Sequence, residues 1–491
     1  MNKTEHIETE AEARRAPAAV NWDGVKRIHV MGICGSAMGA FAGMLRIRGF
    51  EVRGSDKGAY PPMSTTLREM GIEIMEGYNA SNLDWRPDVV VVGNVIHPNY
   101  DEAVALRRSG IPHCSLPQAL SGLFIADNHS VVVTGTHGKT TTSSMTSWLL
   151  HAAGRDPSFM IGGITGNFGV NHRVSNGEVF VVEGDEYDTA YFDKGPKFLH
   201  YRPRTASVNN IEFDHADIFS GIDAIENAFT RFAKLIPTDG TLVIPADDPL
   251  VARVASHCPG KVWTFGIDTQ ADIVARNPVA HDGGVTFELC LPGCAPLTTG
   301  LSIWGDHNIR NALTAAALAF DAGAAPDAIA QALPEFTLPK KRQELRGVAS
   351  GIPVIDDFAH HPTAIRETLR SIRTRYPDKR LVALFEVESN TSRRRVFQDD
   401  FAAALSEADR VWFCAPLVKK GDKLPPEERL DMAALIEAIR ATGTPVGMDE
   451  DIASLCAAVT SDAKPNEDVI VGMSGRNFHG IHQQLLDALS R

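Results

Sequence analysis

A glycine-rich segment between an apolar run and a helical pattern carries residue types that bind phosphate. The run Val131-Val-Val-Thr-Gly-Thr-His-Gly-Lys-Thr-Thr-Thr142 predicts a buried strand at 131–133, a glycine turn and a helix from Thr141 to Leu150. Backbone N–H groups at a helix start face an anion, a lysine adds a point charge, and the Thr140 hydroxyl can ligate Mg²⁺. Val133 stands where the pattern G-x-x-x-x-G-K-[ST] has its first glycine, but the flanking elements still favour nucleotide binding.

Carboxylates follow the strand predicted at Val179–Val182, in the run Glu183-Gly-Asp-Glu-Tyr-Asp188. Open α/β sheets bind ligands at the carboxyl ends of their strands, and Mg²⁺ prefers one or two carboxylates plus substrate oxygens. Glu183 is therefore a candidate metal ligand, although a solvated acidic turn has the same composition. His215, in Asn209-Asn-Ile-Glu-Phe-Asp-His215, follows another predicted strand and is either a metal ligand or a structural histidine.

A second glycine turn, Gly32-Ile-Cys-Gly35-Ser-Ala-Met-Gly39, follows a strand predicted at Arg27–Met31 and opens a helix predicted from Ala37 to Arg48. Cys34 occupies the place of the second glycine in the dinucleotide pattern G-x-G-x-x-G, and Asp56 lies near the end of the next strand. The turn indicates either a pyrophosphate on the helix N-terminus or a tight connection without a ligand.

Three further segments carry polar residues at the ends of predicted elements. Asn308 and Asn311 are three apart at the start of an alanine-rich helix, so they can face one side together or simply cap the helix. Arg342 can bring a guanidinium to a γ-phosphate or lie in a solvated basic turn. Asp357, in Val354-Ile-Asp-Asp357-Phe-Ala-His-His-Pro362, places a carboxylate and two histidines at a strand end.

The elements that must position these residues alternate along most of the chain, which predicts an α/β fold with parallel sheets. We expect short strands with Gly and Pro turns in 260–303, a linker from Pro326 to Pro339, and three units at 22–125, 126–336 and 337–491. The other predicted elements are a helix at Asn308–Phe320 and strands at Phe50–Arg53, Asp88–Val92, Ala206–Asn209, Thr241–Ile244, Val354–Ile355, Leu381–Phe385, Arg410–Cys414 and Val469–Met473.

The bulk properties narrow the class of protein. A length of 491 residues is enough for roughly three domains. The net charge of −13 argues against a nucleic-acid partner or an anionic membrane surface. The seven cysteines are scattered and odd in number, as expected in a reducing cytoplasm. We find neither a signal peptide nor an apolar run long enough to span a membrane, so we expect a cytoplasmic enzyme.

In this order, the segments make the chain resemble the ATP-dependent Mur ligase family. The resemblance implies an amide-bond-forming ligase that uses ATP and Mg²⁺. It also implies a Rossmann-like N-terminal domain for a UDP-sugar, a central P-loop ATPase-like domain, and a Rossmann-like C-terminal domain that closes over ATP. The matching runs are Gly135-Thr-His-Gly-Lys-Thr140, Glu183 with its acidic turn, Asn210-Ile-Glu-Phe-Asp-His215, His307-Asn-Ile-Arg-Asn311, Arg342 and Asp357-Phe-Ala-His-His-Pro362.

Within the family, the Gly32 loop and the run at 357–362 resemble the branch whose acceptor is UDP-N-acetylmuramic acid. One type of ligase in that branch adds L-alanine. Another adds the tripeptide L-alanyl-γ-D-glutamyl-meso-diaminopimelate during peptidoglycan recycling. The run from Glu183 to Pro203 resembles the tripeptide-adding type, since the L-alanine-adding type typically has serine where Tyr187 stands. Two C-terminal runs also fit the tripeptide-adding type better, namely Ser389-Asn-Thr391 and Phe478-His-Gly-Ile-His482.

Two positions bear on this assignment. Mur ligases outside the UDP-N-acetylmuramic acid branch, which act later in the series, carry a carbamylated lysine that helps to hold a second metal. Counting on from His215, Phe229 occupies the position of that lysine here, which agrees with the UDP-N-acetylmuramic acid branch. Arg393-Arg-Arg395 departs from the family pattern because it is more basic than expected, which leaves the contacts of that loop open.

The resemblance also implies roles for individual residues. The acceptor carboxylate would attack the γ-phosphate of ATP, and the peptide amine would displace phosphate from the acyl phosphate. The implied catalytic residues are Lys139, Glu183, His215 and Arg342, and the implied metal ligands are Thr140, Glu183 and His215. The implied ATP-binding residues are Gly135, Thr136, His137, Gly138, Lys139, Thr140, Thr141, Asn308, Asn311, Arg342 and Asp357. The implied UDP-sugar-binding residues are Gly32, Gly35, Ser36, Ala37, Met38 and Asp56.

Two alternative functions remain open at this point. The first is the L-alanine-adding ligase of de novo peptidoglycan synthesis, against which Tyr187 and the residues after it argue. The second is a nucleotide-binding regulatory protein whose phosphate loop switches conformation without ligation. The set of metal and acceptor motifs argues against it, because a switch needs no sugar-nucleotide domain.

Overall fold

The computed structural model describes residues 14–59, 61, 63–214, 219, 221–416 and 424–490. In these ranges the chain forms three successive α/β units, each built on its own main sheet, so the predicted fold class is confirmed. We call them the N-terminal unit (27–120), the central unit (129–332) and the C-terminal unit (344–489). Within these ranges no helix is both long and apolar enough to cross a membrane.

The N-terminal unit has a five-stranded parallel sheet in the order β3-β2-β1-β4-β5. This order matches the first five strands of the dinucleotide-binding order 3-2-1-4-5-6. Its elements are β1 (Arg27–Met31), α1 (Ser36–Ile47), β2 (Glu51–Asp56), α2 (Met63–Glu69), β3 (Glu73–Glu76), β4 (Val89–Val92), α3 (Asp101–Ser109), β5 (His113–Ser115) and α4 (Leu116–Leu120).

The central unit has a ten-stranded sheet in the order β17-β16-β15-β14-β13-β12-β6-β9-β7-β8, and a separate hairpin, β10-β11. Its elements are β6 (His129–Thr134), α5 (Lys139–Ala152), β7 (Ser158–Met160), β8 (His172–Arg173), β9 (Val179–Glu183), β10 (Asp188–Ala190), β11 (Asp193–Pro196), β12 (Thr205–Val208), α6 (Ile222–Ala233), β13 (Thr241–Pro245), α7 (Pro249–Ala255), β14 (Lys261–Ile267), β15 (Ile273–His281), β16 (Gly284–Cys290), β17 (Leu297–Leu301), α8 (Asp306–Asp321) and α9 (Pro326–Ala332). The short strands expected in 260–303 are present as β14 to β17. They extend the parallel part of the sheet, and the pairs β15-β16 and β16-β17 are antiparallel.

The C-terminal unit has a six-stranded sheet in the order β18-β19-β23-β20-β21-β22, in which only β18 is antiparallel to its neighbour. Its elements are β18 (Glu344–Ala349), β19 (Ile352–Asp357), α10 (Pro362–Arg375), β20 (Arg380–Glu386), α11 (Gln398–Leu405), β21 (Arg410–Cys414), α12 (Met432–Ala441), β22 (Val446–Asp449), α13 (Ile452–Asp462), β23 (Asp468–Met473) and α14 (Ile481–Leu489).

The segment from Pro326 to Pro339, predicted to be a linker, is largely structured. Pro326 begins α9, because proline is well suited to the first position of a helix, where no N–H is needed. Ile329 and Leu333 are fully buried in the core of the central unit. The Trp148 indole nitrogen donates to the carbonyl of Ala332 at 2.9 Å, which ties the segment to α5. The linker prediction was therefore wrong over most of this range.

Candidate active site

The phosphate loop between β6 and α5 has the backbone geometry that its glycines predict. Gly135 has φ +129° and Gly138 has φ +80°, a region that side chains rarely adopt. A Cβ atom at Gly138 would lie 2.5 Å from Oδ1 of Asn311, so only glycine fits there. The loop therefore presents the start of α5 to the neighbouring helix α8.

Lys139, the first residue of α5, folds back over the loop. Its Nζ donates to the carbonyl of Gly135 at 2.7 Å and to Oε2 of Glu186 at 2.9 Å. Burial disfavours the ammonium, but the carboxylates of Glu186 and Asp185 outweigh it, so the pKa of Lys139 is raised. Lys139 is therefore a fixed, buried positive charge beside the phosphate loop.

Thr140 and Glu183 place two oxygen donors side by side. The Thr140 hydroxyl donates to Oε1 of Glu183 at 2.6 Å, and the backbone N–H of Gly162 donates to Oε2. Burial and the nearby Asp185 carboxylate raise the pKa of Glu183, and a bound cation would lower it again. The pair suits Mg²⁺, which prefers hard oxygen ligands. His215, the other predicted ligand, lies outside the described residues.

Polar side chains of α5, α8 and the end of β12 form a hydrogen-bonded group next to the loop. Asn209 donates to the Thr142 hydroxyl at 3.0 Å, and that hydroxyl donates to Oδ1 of Asn311 at 3.1 Å. Asn308 and Asn311 lie together, with 3.5 Å between Nδ2 of Asn311 and Oδ1 of Asn308. Neither caps α8, whose N-cap is Gly305, so helix capping does not explain the two asparagines.

Arg342 and Asp357 reach this region from the start of the C-terminal unit. Nη2 of Arg342 donates to the Thr140 hydroxyl at 3.4 Å, and its guanidinium lies 4.7 Å from the centre of the Phe358 ring. Burial lowers the pKa of Arg342 and raises that of Asp357. Asp357 accepts the N–H groups of Gln343 and Ala359, each at 2.8 Å, so its carboxylate is held by backbone rather than by solvent.

A cavity of about 310 Å³ lies between the central and C-terminal units. Its predicted lining residues are His137, Gly138, Thr140, Thr141, Asn308, Asn311, Arg342 and Asp357. Asn209, which opens the run before His215, also lines the cavity, as do Phe265, Gln343, Glu367 and Thr368, and the sequence assigned a role to none of them. His307 lies in a matching run and lines the cavity as well, and burial lowers its pKa to about 4. The volume and the anion-binding groups suit a nucleotide.

The glycine turn at Gly32 lies in the N-terminal unit, between β1 and α1. Gly32 has φ +81°, and the carboxylate of Asp56 accepts the backbone N–H of Cys34 at 2.8 Å, which holds the turn. Gly35, Ser36 and Ala37 are exposed at the start of α1, while Met38 is buried. The first N–H groups of α1 are therefore open to an anionic ligand.

Comparison with known proteins gives a family match along nearly the whole chain. Residues 27–127 match the Mur ligase family catalytic domain, 133–319 the Mur ligase middle domain, and 341–476 the Mur ligase glutamate ligase domain.

Three individual proteins are informative. The UDP-N-acetylmuramate–L-alanyl-γ-D-glutamyl-meso-2,6-diaminoheptanedioate ligase of Escherichia coli K12 is 39% identical over 95% of this chain and 98% of its own length. The crystal structure of a murein peptide ligase from Psychrobacter arcticus superposes with a TM-score of 0.70, at 35% identity, covering 95% of this chain and 99% of that one. A UDP-N-acetylmuramate–L-alanine ligase of Arthrobacter sp. FB24 is 38% identical over 81% of this chain and 83% of its own length.

Proposed function

The chain belongs to the Mur ligase family, and we propose that it joins L-alanyl-γ-D-glutamyl-meso-diaminopimelate to UDP-N-acetylmuramic acid at the expense of ATP. The observation that carries the proposal is the match, along nearly the full length of both chains, to a ligase named for that reaction. L-alanine-adding relatives are almost as similar, one of them over 94% of this chain, so the amine substrate needs its own test.

The proposed ATP site is the cavity between the central and C-terminal units. Lys139 would neutralise the β- and γ-phosphates, and Arg342 would support the γ-phosphate from the C-terminal unit. Asn308 and Asn311 would hold the nucleotide, and Asp357 would face its ribose. Buried charges around a dry site stabilise developing charge more strongly than charges in water do.

The proposed metal ligands are Thr140 and Glu183, together with His215. When bound, Mg²⁺ would supply charge neutralisation between the phosphates and the acceptor carboxylate. The 2.6 Å contact between Oγ1 of Thr140 and Oε1 of Glu183 supports this assignment for two of the three residues. The role of His215 rests on the family resemblance.

The N-terminal unit is the proposed site of the UDP-sugar, with its pyrophosphate on the exposed start of α1. Gly32, Gly35 and Asp56 would shape the turn, and Ser36, Ala37 and Met38 would contribute backbone N–H groups. The free lactoyl carboxylate of the acceptor would then attack the γ-phosphate, and the amine would displace phosphate from the resulting acyl phosphate. The work of the protein is positioning and charge neutralisation.

The region after β9 is proposed to shape the amine site. Nζ of Lys197 lies 4.1 Å from the centre of the Tyr187 ring and 3.0 Å from the Asp185 carboxylate, which fixes Tyr187 beside the metal-binding strand. The neighbouring Asp185 carboxylate and burial raise the pKa of Tyr187, so its hydroxyl stays protonated and can donate. Arg394 is already paired with Glu428 at 2.9 Å, whereas Arg395 is exposed. We therefore propose Arg395, of the three arginines, as the one available to a substrate carboxylate.

We also propose a cytoplasmic location, a role in peptidoglycan recycling, and the domain division 22–125, 126–336 and 337–491. The location follows from the nature of the substrates, and the division is supported by the separate sheets.

Free phosphate released from ATP tests the proposal. We expect release only when UDP-N-acetylmuramic acid and the tripeptide are both present, with one amide product formed per phosphate. ATP hydrolysis at the same rate with and without the two substrates would instead favour a regulatory P-loop protein.

A further inference from the structure

Three side chains from three separate segments converge next to the nucleotide cavity, which His137 lines, and none of them is in the proposed Mg²⁺ site. His137 comes from the phosphate loop, Glu212 follows β12, and His361 is the N-cap of α10 in the C-terminal unit. Their ligand atoms all lie within 4.8 Å of one another. We call these three residues the interdomain triad.

The spacing of the triad suits a small tetrahedral metal ion. Oε2 of Glu212 lies 3.4 Å from Nε2 of His137 and 3.7 Å from Nδ1 of His361. Ligands about 2.0–2.1 Å from a tetrahedral centre lie roughly 3.4 Å apart. The two distances from Glu212 are within a few tenths of an ångström of that spacing, and the two histidine nitrogens lie within 4.8 Å of each other, so a modest approach of the two rings would let all three atoms coordinate one ion.

Neighbouring groups hold the triad in a ligating form. Nε2 of His361 lies 3.3 Å from the carbonyl of Phe213 and would donate its proton there, which leaves Nδ1 unprotonated at 3.7 Å from Oε2 of Glu212. The Thr363 hydroxyl donates to Oε2 of Glu212 at 2.6 Å. Nε2 of His137 is buried and makes no hydrogen bond. One weak contact competes, since the N–H of Thr363 lies 3.4 Å from Nδ1 of His361.

The charge states agree with this arrangement. Burial, together with the nearby His137, lowers the pKa of His361 to about 4, so its imidazole is neutral near pH 7. Burial alone would raise the pKa of Glu212, but the nearby His137 imidazole and the hydrogen bond from the Thr363 hydroxyl outweigh it and bring that pKa to about 2. A neutral imidazole and a carboxylate are the forms in which these side chains bind metals.

We propose that His137, Glu212 and His361 bind one divalent transition-metal ion of the zinc class, with water as the fourth ligand. Imidazole nitrogens favour zinc, cobalt or nickel over Mg²⁺. Because His361 belongs to the C-terminal unit and the other two ligands to the central unit, the ion fastens the two units together at the phosphate loop.

Cobalt provides a direct test on the full-length, chelator-treated protein without ATP or Mg²⁺. We expect one Co²⁺ per chain, with the intense visible absorption of tetrahedral nitrogen and oxygen coordination. Loss of an outer partner costs 10–100-fold in metal affinity, so Thr363→Val should weaken binding by about that factor. His361→Gln and Glu212→Gln each remove a direct ligand and should lower the affinity for Co²⁺ at least as much. The control His257→Ala, at an exposed histidine, should bind Co²⁺ like the parent.

Circular dichroism and thermal melting accompany the titration. Zn²⁺ should raise the melting temperature of the parent but not that of His361→Gln, since a ligand stabilises only the state that binds it. Octahedral or thiolate-type Co²⁺ spectra, or equal binding by parent and ligand variants, would overturn the proposal. These measurements involve no turnover, so the outcome is independent of the proposed ligase function.

Discussion

At the scale of single residues, the candidate site is a set of buried charges held by one another rather than by water. Lys139 pairs with Glu186, whose side chain is 4% exposed, and Glu183 accepts from Thr140 and from backbone. Arg342 is partly buried and its pKa is lowered by desolvation, which is costly unless an anion joins it. Such an arrangement is expected where a polyanionic substrate completes the charge balance.

Lys139→Ala should lower the ligation rate on the order of 10²–10³-fold, because it removes a preorganised charge next to the phosphates. Ligation and circular dichroism are measured together, with Lys234→Ala, at the exposed C-cap of α6, as the control that keeps parent activity. The single variant leaves Glu186 without its ammonium partner, which can cost about 3–5 kcal/mol. The double variant Lys139→Ala/Glu186→Gln should therefore fold better and remain inactive, and near-parent turnover in a folded variant would contradict the assignment.

Glu183→Gln should shift the Mg²⁺ titration of activity to higher concentration and slow acyl-phosphate formation, because an amide is a poorer Mg²⁺ ligand than a carboxylate. The same is expected of His215→Ala. Glu288→Gln, at an exposed position of β16, is the matched control. If Glu183→Gln and His215→Ala kept the parent's titration curve and rate, the metal assignment would be wrong.

At the scale of elements, strong local patterns predicted structure well and weak ones did not. The strand and helix around the phosphate loop were predicted within a few residues, because valine runs and glycine turns have few alternative structures. The linker prediction at Pro326 failed because proline can start a helix as well as end one. For the candidate site, the motif residues could be predicted from the sequence. The contacts of Asn209, Gln343 and Glu212 could not, because their partners lie far away in the sequence and are brought close only by the tertiary fold.

Ile329→Ala in α9 should destabilise the protein by about 2–5 kcal/mol, the usual cost of truncating a buried aliphatic side chain. Gln331→Ala, at an exposed position of the same helix, should stay within about 0.5 kcal/mol of the parent. Urea unfolding of the parent and both variants measures the difference. Equal midpoints for Ile329→Ala and the parent would mean that this segment behaves as a linker after all.

At the scale of the whole molecule, the three units are joined by contacts of different character. The N-terminal and central units share an apolar core, in which Phe124, in the connection between them, packs 6.4 Å from Phe180, centre to centre. The central and C-terminal units have separate apolar cores and meet through polar contacts, including Thr391 to Asp214 at 2.5 Å and Thr363 to Glu212 at 2.6 Å, and through the Phe213 ring, 6.0 Å from that of Phe397. Polar interfaces within a chain allow relative domain motion more readily than apolar ones. Opening between these two units is therefore the expected route for ATP.

The central claim is that this ligase is selective for the tripeptide. A tripeptide with several carboxylates can form more charge-assisted contacts than L-alanine can, for example with Arg395, and contacts that position the amine raise turnover as well as affinity. The most direct measurement is kcat/KM for L-alanyl-γ-D-glutamyl-meso-diaminopimelate and for L-alanine, in one buffer with ATP and UDP-N-acetylmuramic acid saturating. We predict a much larger value for the tripeptide. A ratio that favours L-alanine would contradict the claim and leave only the assignment to the Mur ligase family.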